Sequence, residues 1–497
     1  MTRLATLARL LPAIAFLAAC SSGRGVTGPT PPAPADTAPP ALLRETRGLW
    51  IATVGNIDWP SRSGLPADQQ RAELLDLLDR ARATGLNTIV FHVRPAADAV
   101  YRSDIEPWGA MLMGTQGSDP GWDPLAFAVQ EAHARGLELH AWVNPFRAGN
   151  TADSAKLAPA HVWRAQRELG RVYGTQLWLD PGEPGVHDHT MRVIADIVRR
   201  YDVDGIHADD YFYPYQQTDA SGRVIPFPDD SSYAKYGNGV PRDDWRRANV
   251  DRFVERMYRE VHAIKPTVKV GISPFGIWRP GNPAGVAGLD AYATIYADSR
   301  RWLQQGWLDY LAPQLYWAIG APQQSFPALL DWWLAQNAKG RHVWPGLAAY
   351  KVQDGSASAF SATEIQDQIR LVRQRSGGTG HLLYNTTWTL KRSGGALATS
   401  LASDLYTSPA FPPASPWLDG TAPPAPTIAV SGGTLTITPG AGEAPRWFVV
   451  RARGTGGWTS RTLFGDTRTM PLVAPERVLV QAADAAGNLS SVVEWNR

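Results

Sequence analysis

One adjacent carboxylate pair, Asp209-Asp210, stands directly at the end of a strand-like run, Asp204-Gly205-Ile206-His207-Ala208. Glycosidic cleavage needs a protonated acid at the leaving oxygen and a second group that stabilises or captures the oxocarbenium-like centre. Neighbouring carboxyls with split pKa values supply both. The competing reading is a pair that holds loop backbone or an arginine. The chain also carries 20 Trp, and flat indole faces cover the apolar faces of pyranose rings. Trp50, Trp142 and Trp332-Trp333 fall inside strand or helix patterns and read as packing. Trp59, Trp108, Trp278, Trp317 and Trp388 fall at run ends and read as sugar platforms.

Short β-branched runs alternating with amphipathic helical patterns from Arg47 onward must position these residues, which predicts a parallel sheet with crossover helices. The runs are Gly48–Val54, Thr88–Val93, Glu138–Val143, Asp204–Asp209, Val268–Ser273, Tyr310–Tyr316, His342–Leu347 and His381–Asn385. Helices are expected near Ala67–Thr84, stopped by Gly85, and after Asp123-Pro124, stopped by Gly136. Another is expected near Asp188–Tyr201, and one behind the capping box Ser361-Ala362-Thr363-Glu364. Eight such units in about 350 residues fit a (β/α)8 barrel, whose active face lies at the C-terminal strand ends. A doubly wound open sheet is the alternative, but no G-x-G-x-x-G follows the first run. Besides Asp209 and Asp210, the strand ends offer Arg94, Asp98, Asn144, His207, Tyr211, Trp278, Gln314, Tyr316, Trp317, Tyr384 and Trp388 as substrate contacts. His140 and His207 share Asp209's inward parity, so they either bond that carboxylate or are satisfied core histidines.

The 497 residues are 44% hydrophobic and 19% charged with a net charge of +2, which excludes a disordered or strongly polyanion-binding chain, and no nucleic-acid partner is expected. A single Cys excludes a disulfide framework. It follows the apolar stretch Leu10–Ala19, which reads as a secretory signal peptide over residues 1–20, in Leu17-Ala18-Ala19-Cys20, which is similar to the bacterial lipobox. Cys20 is therefore the expected lipid attachment site, and Ser21 after it favours the outer membrane, facing the periplasm. A Pro-rich tether follows, over residues 21–43, then the barrel over 44–415. Beyond the Pro-punctuated stretch Pro412–Pro426, the runs Thr434–Thr438, Trp447–Arg451 and Val478–Ala482 predict a β-sandwich over 421–497. The end of that segment resembles the last hairpin of fibronectin type III-like domains, and the segment reads as a spacer.

Five motifs stand in order: Arg47-Gly48-Leu49-Trp50-Ile51; Val93-Arg94-Pro95 with Asp98-Ala99-Val100-Tyr101; Gly136–Pro145; Gly205–Pro214; and Ile272–Arg279. Together they resemble the glycosyl-hydrolase-like-ten family of bacterial lipoproteins. The resemblance implies a (β/α)8 glycosidase, peptide-free peptidoglycan strands as substrate and the cell-division machinery as a partner. Large-clan barrel glycosidases place a Glu after strands four and seven, but Asp209-Asp210 and Tyr350-Lys351 stand there. In a substrate-assisted scheme one of Asp209 and Asp210 is the acid and the other orients the acetamide, with Tyr316 as hydroxyl donor and Trp388 as floor. That layout is similar to chitinase-type barrels. Their D-x-x-D-x-D-x-E run is only partly echoed by Asp204, His207, Asp209 and Tyr211, without the Glu. A retaining scheme with Asp209 as nucleophile and Asp98 or Asp210 as acid also fits. Rival classes are a non-catalytic glycan-binding lipoprotein and a metal-dependent deacetylase using His207, Asp209 and Asp210. His187-Asp188-His189 opens a helix and has no H-x-x-x-H beside it, so neither metal nor cofactor is expected.

Overall fold

The computed structural model describes residues 38–497; Cys20 and the segment read as its signal lie outside them. One parallel sheet is built from β1 (Thr46–Ile51), β2 (Thr88–Arg94), β3 (Glu138–Val143), β4 (Gly205–Ala208), β5 (Lys269–Ile272), β6 (Tyr310–Leu311), β7 (His342–Val343 and Gly346–Ala348) and β8 (Gly380–Tyr384). Strands pair in chain order, through Gly48↔Thr88, His140↔Gly205 and Gly271↔Tyr310. The first half of β7 pairs with β6 at Tyr310↔His342 and the second with β8 at Gly346↔Leu382, and β8 returns to β1 at Leu382↔Gly48. The sheet thus closes into the expected (β/α)8 barrel. Pro345 divides β7, and Pro313 ends the ladder of the run expected over Tyr310–Tyr316, because proline has no N–H to donate.

A helix follows each strand: α1 (Ala67–Thr84), α2 (Pro124–Ala134), α3 (Pro184–Arg200), α4 (Arg242–Ile264), α5 (Ser299–Gln305), α6 (Phe326–Ala335), α7 (Glu364–Gln374) and α8 (Ala396–Ser403). α1 buries Leu74, Leu77, Leu78 and Ala81 and stops at Gly85, whose φ of 92° suits a residue without Cβ. Asp123 caps α2 by accepting from the Ala126 N–H. α3 begins at Pro184 rather than near Asp188, since proline is tolerated in a first turn. The expected capping box of α7 does not form. Thr363 makes no side-chain cap bond, and Glu364 Oε1 instead accepts from the Ile319 N–H (2.7 Å) and Gln368 Nε2 (2.9 Å).

Strand alternation turns Leu49, Ile89, Leu139 and Ile206 outward against the helices and Trp50, Val90, Trp142, Tyr310, Trp344 and Leu382 into the barrel. Among the inward residues runs a column of buried polar groups. Lys269 Nζ lies 2.8 Å from Glu138, which accepts from His140 Nε2 at 3.3 Å. His140 Nδ1 is 2.8 Å from the Tyr310 hydroxyl, itself 3.0 Å from His207 Nδ1. At the top, His207 Nε2 meets Trp50 Nε1 (3.2 Å) and Ser273 Oγ (2.9 Å). An indole N–H only donates, so His207 Nε2 accepts and Nδ1 carries the proton toward Tyr310, whose hydroxyl then donates to His140. Burial, reinforced by His140, holds the His207 pKa well below its ordinary value and keeps the ring neutral.

Seven further strands form the expected sandwich. Thr427–Ser431, Thr434–Thr438 and Thr469–Pro471 face Gly457–Phe464, Trp447–Gly454, Arg477–Ala483 and Val493–Asn496 across Leu435, Ile437, Phe448, Val450 and Val480. It is fastened to the N-terminal end of the barrel. Arg446 binds Asp204 and Asp202 (both 2.6 Å), and Phe464 stacks on His133. In the connecting segment, Ser415 bonds His342 (3.0 Å) and Trp417 Nε1 donates to Asp309 (2.7 Å). Asp204 therefore closes the base of β4 and takes no part in the echo of the chitinase run. Burial pushes its carboxyl up, but Arg446 and His133 outweigh that and hold it well below the ordinary range. No helix among the described residues is long and apolar enough to cross a membrane.

Removing Arg446 leaves Asp204 buried with only His133 and the Leu139 N–H as partners. The Arg446→Met variant is expected to lose about 2–3 kcal/mol of unfolding free energy in urea titrations. A loss below about 0.5 kcal/mol would show that the clamp contributes no more than a surface ion pair.

Candidate active site

β4 ends at Ala208, so Asp209 and Asp210 emerge at the C-terminal mouth of the barrel. Asp209 continues the inward parity of His207. Its Oδ2 accepts from Trp142 Nε1 on β3 (3.1 Å) and from Asn144 Nδ2 just beyond β3 (3.2 Å), and its Oδ1 from the Tyr211 N–H (3.3 Å). Asp210 Oδ2 takes a hydrogen bond from the Tyr215 hydroxyl, and Gln314, tied to the Ser273 carbonyl at 2.9 Å, stands beside it. Both carboxyls line a cavity of about 320 Å³ with Trp50, Trp142, Tyr211, Tyr215, Ser273, Phe275, Gln314, Tyr316 and Tyr384. Its wall is drawn from the ends of β1, β3, β4, β5 and β8 and the loop after β6.

Burial first, and the charge of Asp210 second, push the Asp209 carboxyl up to about 7. Arg147, the Tyr211 N–H and Trp142 pull the other way. Burial raises Asp210 as well, against Tyr215 and Gln314. Two carboxyls in one dry site share a proton, and they titrate as a pair. The three groups on Asp209 are N–H donors that cannot reverse, whereas the Tyr215 hydroxyl can turn to accept. The Tyr215 contact thus lets Asp210 hold the shared proton as well as Asp209. Burial, then Tyr384, Tyr350 and Asp210, hold the Tyr316 pKa well above the ordinary value, so its hydroxyl stays a donor.

Of the residues singled out from sequence, Asp209, Asp210, Tyr211, Gln314, Tyr316 and Tyr384 meet at this cavity, and Asn144 stands behind it on Asp209. Others go elsewhere. Arg94 is fully buried, paired with Glu106 at 2.6 Å and bonded to the Asn144 and Pro145 carbonyls, so it pins the loop carrying Asn144 and touches no substrate. Asp98 accepts from the Ala96 N–H and Gln116 Nε2 and lines a separate groove of about 360 Å³, which removes it as the acid partner of Asp209. His207 and His140 bond Tyr310 rather than Asp209. Both His207 ring nitrogens are engaged, which leaves none to join Asp209 and Asp210 around a metal. His187 and His189 bond the Pro181 carbonyl and Glu106.

The tryptophans reverse their expected roles. Trp59 is fully buried with Nε1 on the Gln70 carbonyl, and Trp108 packs against the outer core. Trp278 bonds Asp298 and stacks on Trp332, Trp317 sets its edge to Phe275, and Trp388 lies beside Arg392. None of these five lines the cavity; Trp50 and Trp142, read as packing, do. The available signal was register, since Trp142 pairs with His207 one step before the carboxylates. Tyr215 was missed, although Tyr211-x-Tyr213-x-Tyr215 repeats directly after the pair.

A closed (β/α)8 barrel whose C-terminal mouth holds two proton-sharing carboxyls in an aromatic pocket has the architecture of a barrel glycosidase. The chain belongs to the glycosyl hydrolase-like 10 family, which it matches over residues 45–362. It is 42% identical over 396 residues to glycosyl hydrolase YngK of Bacillus subtilis (strain 168), covering 78% of this chain and 76% of that one. It is 37% identical over 367 residues to glycosyl hydrolase DigH of Escherichia coli (strain K12), covering 69% and 82%. It is also similar to the catalytic domain of the beta-amylase from Paenibacillus polymyxa, at 13% identity and a TM-score of 0.48, covering 74% and 98%.

The unfolded chain ionises an aspartate near pH 4, whereas the folded site holds its proton to about 7. Stability is thus lost as pH rises through that window, and fully lost above it. Asp209→Asn removes the like charge. Its unfolding free energy relative to wild type is expected to rise by about 1–3 kcal/mol between pH 4 and pH 8 in urea titrations. An unchanged difference across that range would show that the pair carries no electrostatic strain.

Proposed function

We propose that this protein is a glycoside hydrolase that cleaves N-acetylhexosamine-containing glycan, with peptide-free peptidoglycan strands as the substrate. The observation that carries the proposal is the Asp209–Asp210 pair, buried and proton-sharing in an aromatic cavity at the barrel mouth. Membership of a glycosyl hydrolase-like family agrees with it. The acetamide oxygen of the bound sugar attacks the anomeric carbon while Asp210 gives its proton to the departing oxygen. Asp209 orients and charge-stabilises the acetamide, the Tyr316 hydroxyl holds it, and Trp50 and Trp142, rather than Trp388, form the floor. Asp210, now a base, then activates the water that opens the cyclic intermediate. We also propose, on Cys20 and its flanking residues, an outer-membrane lipoprotein facing the periplasm and working with the cell-division machinery.

Mature protein incubated with peptide-free glycan strands, intact peptidoglycan and chitin oligomers is expected to release new reducing ends, most from the first. Asp210→Asn and Asp209→Asn should each lower kcat by at least about a hundredfold. A chelator should have no effect, and glycans without the 2-acetamido group should stay intact. The rate is expected to fall as pH rises through about 7, where the pair gives up its shared proton. Absence of new reducing ends from every substrate would overturn the hydrolase reading. Full activity in both variants would overturn the site.

A further inference from the structure

Four arginines of the barrel are buried: Arg47, Arg94, Arg147 and Arg246. Three hold a carboxylate, at 2.8 Å in Arg47–Glu45, 2.6 Å in Arg94–Glu106 and 2.7 Å in Arg246–Asp229. Arg147 is the exception. Its side chain forms no ion pair with any described residue, and its buried Nε has no hydrogen-bond partner. A buried guanidinium without a counter-ion is costly, and such groups are kept where something else completes them.

The position of Arg147 says what that something is. It opens a short antiparallel ribbon inserted after β3, with Arg147 registered against Trp178. The guanidinium carbon lies over the Tyr211 ring, 3.7 Å from its centroid, and Tyr211 lines the carboxylate cavity. The next residues, Ala148 and Gly149, line the neighbouring groove that also holds Asp98. Arg147 therefore lies within the wall between the two hollows, with Tyr211 facing one of them and Ala148 and Gly149 the other. The wall is tied to the catalytic pair, because Asn144 accepts from the Arg147 backbone N–H (3.4 Å) through Oδ1 and donates to Asp209 through Nδ2. The Arg147 charge is felt by both carboxyls. Nε is left without a partner beside that ring, and the planar fork of guanidinium N–H donors matches a carboxylate.

We propose that Arg147 is an anion subsite, which binds a carboxylate carried by a sugar of the glycan held at Asp209 and Asp210. This rests on the hydrolase reading above and narrows its substrate to acidic glycans. The carboxylate has two chemical sources: the lactyl ether of a muramic residue whose peptide has been removed, or a uronic acid. A lactyl group still amide-linked to peptide has no charge at that position and cannot complete Arg147. The subsite therefore selects stripped strands over peptide-bearing ones on electrostatic grounds.

The test is calorimetric binding of four tetrasaccharides to the mature protein: peptide-free muramic-containing, the same with its carboxyls reduced to alcohols, chitin, and hyaluronan for the uronate. Wild type is expected to bind the muramic sugar about ten- to a hundredfold more tightly than its reduced counterpart, the range of a charge-assisted bidentate contact. In Arg147→Gln that ratio should fall to about one. Equal affinity of wild type for the charged and reduced muramic sugars, with hyaluronan bound no more tightly than chitin, overturns the proposal, as does a ratio that survives in Arg147→Gln. The comparison within wild type needs no variant to fold. Tight hyaluronan binding with loss of the muramic preference assigns the carboxylate to a uronate instead. Discrimination without release of reducing ends overturns the hydrolase reading and leaves the subsite standing; release without discrimination does the reverse.

Discussion

Placing two carboxyls side by side in a dry pocket is unfavourable, and the surroundings of Asp209 and Asp210 are arranged to hold that state. Each donor on Asp209 comes from a different element: an indole inside β3, an amide just past it, and the backbone N–H of Tyr211. Moving any of them leaves a buried anion short of a partner, which costs more than an ordinary lost hydrogen bond. The ends of β3 and β4 are therefore locked together at the mouth. Arg94 extends the lock outward, since its hydrogen bonds to the Asn144 and Pro145 carbonyls hold the segment on which the amide sits.

Below the pair, the barrel solves a second packing problem with the same logic. Trp50, Trp142, Tyr310 and Trp344 do not fill a closed barrel without bringing polar atoms along. The column from Ser273 through His207, Tyr310 and His140 satisfies those atoms in one donor direction down to Glu138, which accepts from Lys269 on its other side. The direction is set by Trp50, whose N–H cannot accept. Trp50 thus serves both the interior and the floor of the cavity, which is why its classification as packing alone was incomplete.

Much of the fold was legible because its signals are local. The α1 limits follow from Leu74, Leu78, Ala81 and Gly85, and the strand runs announce themselves by β-branched residues between turn signals. Pro313 and Pro345 interrupt the ladder, so β6 ends at Leu311 rather than Tyr316, and β7 is split into two pieces. The carboxylates were legible from position, and so were Gln314, Tyr316 and Tyr384. What escaped depends on long-range pairing. Arg94 reads as a mouth residue until Glu106 is seen against it, and Asp98 as an acid until Gln116 and the separate groove appear. His207 was expected to bond Asp209, but the hydroxyl of Tyr310, from a strand across the barrel, takes that place. Arg147 stands out only once every other buried arginine of the barrel has been matched to its carboxylate.

The attachment of the sandwich shapes how the molecule meets a polymer. Arg446 on Asp204, Phe464 on His133, and Trp417 on Asp309 all act at the end of the barrel opposite the mouth. The barrel interior beneath the pair is filled by Trp50, Trp142, Tyr310 and Trp344, so the carboxylate cavity does not run through the barrel. A polymer meeting this mouth lies across it or dips one segment in, and does not thread the barrel. The sandwich meanwhile is not a swinging arm. Buried charge and stacked rings join it to the barrel, so it acts as a strut that keeps the opening at a set distance and heading from its far end.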